Sequence, residues 1–134
     1  MLDGQPVGCP SGYAPIAGSS HRYKLLSNVL WNEAKTTCAL TSAAAYLAVP
    51  DDATEVANLA TLATTPFWIG IDDQANSGMF VTVKGAPFPI SSPLWAPGEP
   101  NTAGGADCVD AISATQLATD KCITKHDAVC ECEP

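Results

Sequence analysis

Basic side chains are scarce. Lys and Arg number 6 against 14 Asp and Glu, giving a net charge of −8. Binding a phosphate backbone takes a basic face, so nucleic acid is excluded as a partner. An anionic membrane surface is disfavoured for the same reason. Long apolar runs are missing too. No stretch reaches the roughly 18 residues of a spanning helix, so no membrane insertion is expected. No Cys-x-x-Cys pair occurs, which argues against a zinc ribbon or a thioredoxin-like site. There is no nucleophile-elbow motif, and His21 and His126, the two histidines, lack metal-ligand spacing. Both are expected at the surface or at a polar edge. No catalytic residues are assigned, and the chain is not expected to be an enzyme.

What is present fits one globular domain, residues 1–134. Hydrophobic residues make up 46% and charged residues 15%, enough apolar material in 134 residues for a sizeable core. An acidic surface suits a cation ligand, or simply solubility in a salty medium. Cys9, Cys38, Cys108, Cys122, Cys130 and Cys132 are even in number and widely spaced. That reads as a disulfide framework formed in an oxidising compartment, so a secreted or extracellular location is expected. Met1 is expected to begin a mature fragment whose export signal has been removed.

Along the chain, residues 1–20 carry Gly, Pro and Ser turn signals and read as an N-terminal arm with a hairpin. Tyr23–Leu26 is a predicted strand. A helix is predicted over Val29–Thr41, with Trp31, Ala34 and Cys38 on one buried stripe. Asp52 is the expected N-cap of a second helix, with Glu55 completing a capping box, and Thr64-Thr65-Pro66 stopping it. Phe67–Ile71 is a continuous apolar run, hence a strand covered on both faces. Asp72-Asp73 opens a polar turn, after which Met79–Val83 pairs back. Cys108–Ser113 and Gln116–Asp120 form a predicted antiparallel pair. A Cys108–Cys122 bridge would staple it, worth about 3 kcal/mol in the chain-entropy picture. The last strand, Ala128–Cys132, is expected to hold its two cysteines on opposite faces, one meeting Cys38 and the other Cys9. Trp31, Trp68 and Trp95 are most simply core residues.

Residues 84–106 show no periodicity and carry Pro87, Pro89, Pro93, Pro97 and Pro100. A loop this long in a compact domain is usually functional, and proline reduces the freedom it loses on ordering. Within it, Glu99 and Asn101 flank Pro100. A cis Glu99–Pro100 bond would turn both side chains to one side. Two convergent oxygen donors make half of a calcium site, which takes about 6–8 oxygens.

The residues together resemble a known family. Trp31-Asn32-Glu33-Ala34, Cys38, Leu47-Ala48-Val49-Pro50 and Glu55 resemble the two-helix half of a C-type lectin-like domain. Trp68-Ile69-Gly70-Ile71-Asp72-Asp73 resembles its central strand. Trp95-Ala96-Pro97-Gly98-Glu99-Pro100-Asn101 resembles the long-loop sugar motif of its mannose-type members. Cys38, Cys108, Cys122 and Cys130 match its four framework cysteines, and the similarity spans about residues 9–132. The resemblance implies an α+β fold: two helices flanking small antiparallel sheets, a long functional loop over 84–106, and disulfide staples. With the framework pairs assigned, Cys9 is left to meet Cys132.

The resemblance also implies Ca²⁺ on the long loop, with two adjacent sugar hydroxyls completing its shell. Glu-Pro-Asn implies vicinal equatorial hydroxyls, as in mannose, glucose, N-acetylglucosamine or, by an equivalent pair, fucose; Gln-Pro-Asp would imply galactose. Single-sugar affinity is expected near 1 mM, about −4 kcal/mol, so useful binding would call for several copies or a homo-oligomer. The chain departs from the pattern at Ala106, where the family has Glu, and at Leu117-Ala118-Thr119, where it has Trp-Asn-Asp. Shifting the alignment by one residue brings in Asp120, and Asp107 stands in for the missing Glu. The expected metal- and sugar-binding set is therefore Glu99, Asn101, Asp107 and Asp120. A second calcium position would draw on Asp73 and Asp107, but Ser77, Thr102 and Ala106 replace its other acids. The alternative expectation is a calcium-independent domain that binds a protein or another surface with the same loop.

Overall fold

A computed structural model describes residues 9–133. Residues 1–8 of the predicted arm lie outside the described residues. The arm that follows adds β1 (Ala14–Pro15) to the edge of β2 (Arg22–Val29) as an antiparallel pair. Helix α1 (Trp31–Thr41) buries Trp31, Ala34 and Cys38 along the expected stripe. Its first turn is closed by Glu33, whose carboxylate accepts from the Leu30 N–H at 3.1 Å. Strand β3 (Ala45–Leu47) follows. Helix α2 (Ala53–Leu59) is capped by Asp52, which accepts from Glu55 N at 2.9 Å. Glu55 reaches back to the N–H of Asp51 rather than to that of the cap residue itself. The helix ends before the predicted Thr-Thr-Pro stop, and turns carry the chain on to Ala63.

Strand β4 (Phe67–Asp72) is buried from Phe67 to Ile71, as its apolar run requires. β5 (Val81–Thr82) pairs back on it. β6 (Cys108–Ala111) and β7 (Leu117–Asp120) form the predicted antiparallel pair, and β8 (His126–Cys132) closes the fold. All eight strands belong to one sheet of path order β1-β2-β8-β4-β6-β7, with β3 on β8 and β5 on β4. β4 and β8 pair in parallel, so the sheet is mixed where antiparallel sheets were expected.

Close approach of β3 and β4 explains Gly70. A Cβ there would sit 2.3 Å from the Leu47 carbonyl oxygen. Hydrogen bonds run instead from Gly70 N to Ala48 O (2.7 Å) and from Trp31 Nε1 to Ile69 O (2.7 Å).

Three disulfides pin the frame: Cys9–Cys132, Cys38–Cys130 and Cys108–Cys122. Cys130 and Cys132 do not face opposite ways. Residues two apart on a strand share a face. Both cysteines pack in one cluster with Cys9, Cys38, Trp31 and Leu47. A second cluster, of Val56, Leu59, Phe67, Ile69, Ile71, Phe80, Trp95, Leu117 and their neighbours, fills the other half.

Candidate functional site: the long loop and the β6–β7–β8 end

The loop after β5 is held by an aromatic wedge. Trp95 is 8% exposed and meets the rings of Phe80 and Phe88 edge-on, with centroids 5.2 and 5.5 Å away. Its Nε1–H donates to Pro89 O at 3.1 Å, which satisfies the one polar atom the ring would otherwise bury. On either side of the ring the backbone ties to β7: Leu117 N donates to Leu94 O at 2.8 Å, and Ala96 N to Leu117 O at 2.9 Å.

From there the chain turns sharply. Glu99 N donates to Ala96 O at 2.9 Å across Pro97-Gly98, and Gly98 has φ +85°. Proline second and a left-handed glycine third suit a type II turn. The Glu99–Pro100 peptide is cis.

Glu99 and Asn101 converge on Thr119 of β7. The Glu99 Oε1 atom accepts from Thr119 N (2.9 Å) and Asn101 N (3.1 Å), and lies 2.7 Å from the Thr119 hydroxyl. That hydroxyl also stands 2.6 Å from the Asn101 carbonyl oxygen. Its single proton can serve only one of the two oxygens at a time. The Asn101 side-chain oxygen accepts from Ala103 N at 3.1 Å, opening a turn over Ala103–Gly105 in which Gly104 and Gly105 both take positive φ.

Asp107 stands beside Asp73, and its carbonyl accepts from Asp73 N at 2.9 Å. Asp73 is 1% exposed. Burial raises its carboxyl above the usual range, the Gly78 N–H at 2.6 Å pulls it back, and Asp107 and Asp72 raise it further. Asp73 Oδ1 has no hydrogen-bond partner among the described residues. Asp72 caps the turn as expected, accepting from Gln74 N at 3.3 Å.

Asp120 turns to a different partner. Its Oδ2 lies 2.8 Å from His126 Nε2, and the same nitrogen is 3.3 Å from Asp110 Oδ2. Asp110 is 2% exposed. Burial first, then the charge of Asp120 and, more weakly, of Glu99, push its carboxyl up to about 7. The Trp68 ring lies under His126, with centroids 4.6 Å apart.

Of the four residues expected to bind metal and sugar, the structure thus sets Glu99 and Asn101 together at the loop tip, Asp107 against Asp73, and Asp120 against His126. The one group of three or more His, Cys, Asp or Glu ligand atoms that converges among the described residues is Asp110, Asp120 and His126. Sequence reading missed Thr119, Asp110 and His126. Asp110 carried a usable signal: a carboxylate two residues after Cys108, on the same face of a strand whose other residues are apolar.

Comparison with known proteins follows the same lines. Residues 27–132 match the lectin C-type domain family. The human protein C-type lectin domain family 17, member A is 29% identical over 110 residues, covering 81% of this chain and 28% of that protein. Human polycystin-1 is 30% identical over 129 residues, covering 94% of this chain but 3% of that protein. The chain therefore spans less than a third of either relative. The crystal structure of the C-type lectin CEL-I from Cucumaria echinata superposes with a TM-score of 0.76 at 20% identity, over 92% of this chain and 96% of that one. With its fold, its disulfide frame and a match over most of its length, the chain belongs to the lectin C-type domain family.

Proposed function

We propose that this domain is a calcium-dependent carbohydrate-binding module. Its binding surface is the tip of the long loop, and its ligands are sugars with vicinal equatorial hydroxyls of the mannose, fucose, N-acetylglucosamine or glucose type. The observation that carries the reading is the placement of Glu99 and Asn101. Both side chains offer hard oxygens on a loop tip anchored through Trp95, with Glu99 held by Thr119 and the Asn101 side-chain oxygen by Ala103 N, so the donors are placed before a ligand arrives. Preorganised donors lower the ordering cost of binding. Calcium prefers such oxygen sets, and the orphaned Asp73 oxygen beside Asp107 marks further unspent acceptor capacity. In this reading Asp107 and Asp120 join Glu99 and Asn101 around the ion. For Asp120, whose side chain is 35% exposed, this means leaving His126 and the Lys121 N–H that it accepts from at 2.7 Å. The sugar contacts the ion and the same four side chains. Binding is non-enzymatic, weak per site and strengthened by multiple copies, on a secreted or cell-surface protein whose disulfides form outside the cytosol. Among the described residues no helix is long and apolar enough to cross a membrane.

A glycan array read with calcium and with chelator tests this directly, alongside calcium calorimetry. Chelator-sensitive binding to mannose- or fucose-bearing glycans is expected. Glu99→Gln and Asn101→Ala should abolish it while leaving the melting of the calcium-free protein nearly unchanged. Glycan binding that survives chelation would end the calcium reading.

A second reading rests on Thr119. It already occupies Glu99 Oε1, and Ala106, Leu117 and Ala118 supply no side-chain ligand. On this reading the loop binds a protein or another surface without calcium. An array silent in both conditions, with a melting temperature indifferent to calcium, would favour it.

A further inference from the structure

The β6–β7–β8 end of the sheet holds a second arrangement, of which the loop-tip reading uses only Asp120. Strand register sets it up. Asp110 pairs with Trp68 and with Ala118, and Asp120 lies two residues beyond Ala118. His126 lies two residues before Ala128, which pairs with Trp68. Side chains two apart on a strand share a face. Asp110, Asp120, His126 and the Trp68 indole therefore lie on one side of the sheet, contributed by four different strands.

Three atoms able to ligate a metal converge there. His126 Nε2 is 3.3 Å from Asp110 Oδ2 and 2.8 Å from Asp120 Oδ2, and all three ligand atoms lie within 4.8 Å of one another. Tetrahedral zinc, with bonds of roughly 2.0–2.1 Å to nitrogen and oxygen, spaces its ligands about 3.3 Å apart. An independent observation points the same way. Asp110 is 2% exposed, and its Oδ1 has no hydrogen-bond partner among the described residues. A buried carboxylate oxygen left unpaired is costly, and a cation gripped by both Asp110 oxygens, Oδ1 as well as the Oδ2 beside His126, would remove the deficit. The imidazole nitrogen decides the class of ion. Calcium and magnesium favour all-oxygen shells, whereas imidazole with carboxylates suits zinc and its late first-row neighbours. Asp120 is partly exposed, so water can supply a fourth ligand.

We propose that Asp110, Asp120 and His126 form a binding site for a late first-row divalent cation of the Zn²⁺ class, centred on this face of the sheet rather than on the loop tip. The site and the proposed calcium set share Asp120, so zinc is also expected to oppose calcium there.

The test uses tag-free, chelator-stripped protein with no sugar and no calcium, so it does not depend on any lectin activity. Calorimetry with Zn²⁺ should show one equivalent bound in the micromolar range, and the melting temperature should rise by several degrees. Co²⁺ should give the intense visible bands of a tetrahedral nitrogen- and oxygen-ligated ion. His126→Gln and Asp110→Asn should each weaken Zn²⁺ binding at least 10-fold. Should either variant fold poorly, imidazole NMR of the wild type decides instead, because the chain has two histidines: His126 should respond to Zn²⁺ and His21 should not. No uptake at millimolar Zn²⁺, unchanged affinity in a folded His126→Gln, or a response at His21 in place of His126 would each overturn the proposal.

Discussion

The two halves of the molecule are held by different means. Around β8 and α1, Cys38–Cys130 and Cys9–Cys132 tie residues 92 and 123 positions apart in sequence to a single strand, over a core that includes Trp31 and Leu47. The long loop has no covalent tie inside it. It depends on one tryptophan wedged between two phenylalanines, a backbone bridge to Leu117, and hydrogen bonds to Thr119. The first half resists unfolding because its unfolded chain is constrained. The second is ordered only while a few specific contacts persist, as local stability generally follows local packing. The proposed binding chemistry therefore lies on the half that can be altered without dismantling the frame.

The comparison breaks most visibly at the disulfides. Cys38→Ala with Cys130→Ala removes a bridge across 92 residues, and should cost about 4–5 kcal/mol in denaturant unfolding, spread over the whole domain. Next comes Trp95→Ala. Deleting this buried ring should cost about 3–4 kcal/mol. In hydrogen exchange the loss should appear first in residues 84–106, with β8 protected for longer. Thr119→Val keeps the backbone bond to Glu99 but removes the hydroxyl. About 1 kcal/mol is expected, with faster proteolysis at the loop tip and no change in α1 exchange. The smallest effect concerns Glu55, in the helical half. Burial, and secondarily the negative charge of Asp51, push its carboxyl up to about 7. The folded state thus holds this proton more tightly than the unfolded one. The stabilisation is fully present at acid pH and is lost as pH rises from about 4.5 through about 7. Glu55→Gln should flatten that slope, narrowing the difference in melting temperature between pH 5 and pH 8 by a few degrees, read by calorimetry.

How much of this was legible in the residues follows the same division. Trp31, Ala34 and Cys38 recur at helical spacing, and Phe67–Ile71 is apolar throughout, so α1 and β4 could be read directly. Asp52 announced its helix start through chemistry that needs no tertiary context. Strand β3 could not be read this way: three residues carry no periodicity, and Ala45–Leu47 is a strand only because β8 lies beside it. The loop's irregular course was visible in its prolines, and Glu99 and Asn101 marked it as the candidate binding segment. Its attachment to Thr119 was not, since the two lie far apart in sequence and meet only through the fold. His126 was read as a polar-edge residue because a single histidine shows no spacing. Its carboxylate partners come from two other strands.

No residue from 97 to 106 is fully buried. The segment hangs between two fixed posts, Ala96 on Leu117 and Asp107 on Asp73. Because its side chains lie outside the apolar core, sequences of similar span exchanged between those posts should change the chemistry the tip presents while the interior keeps its shape.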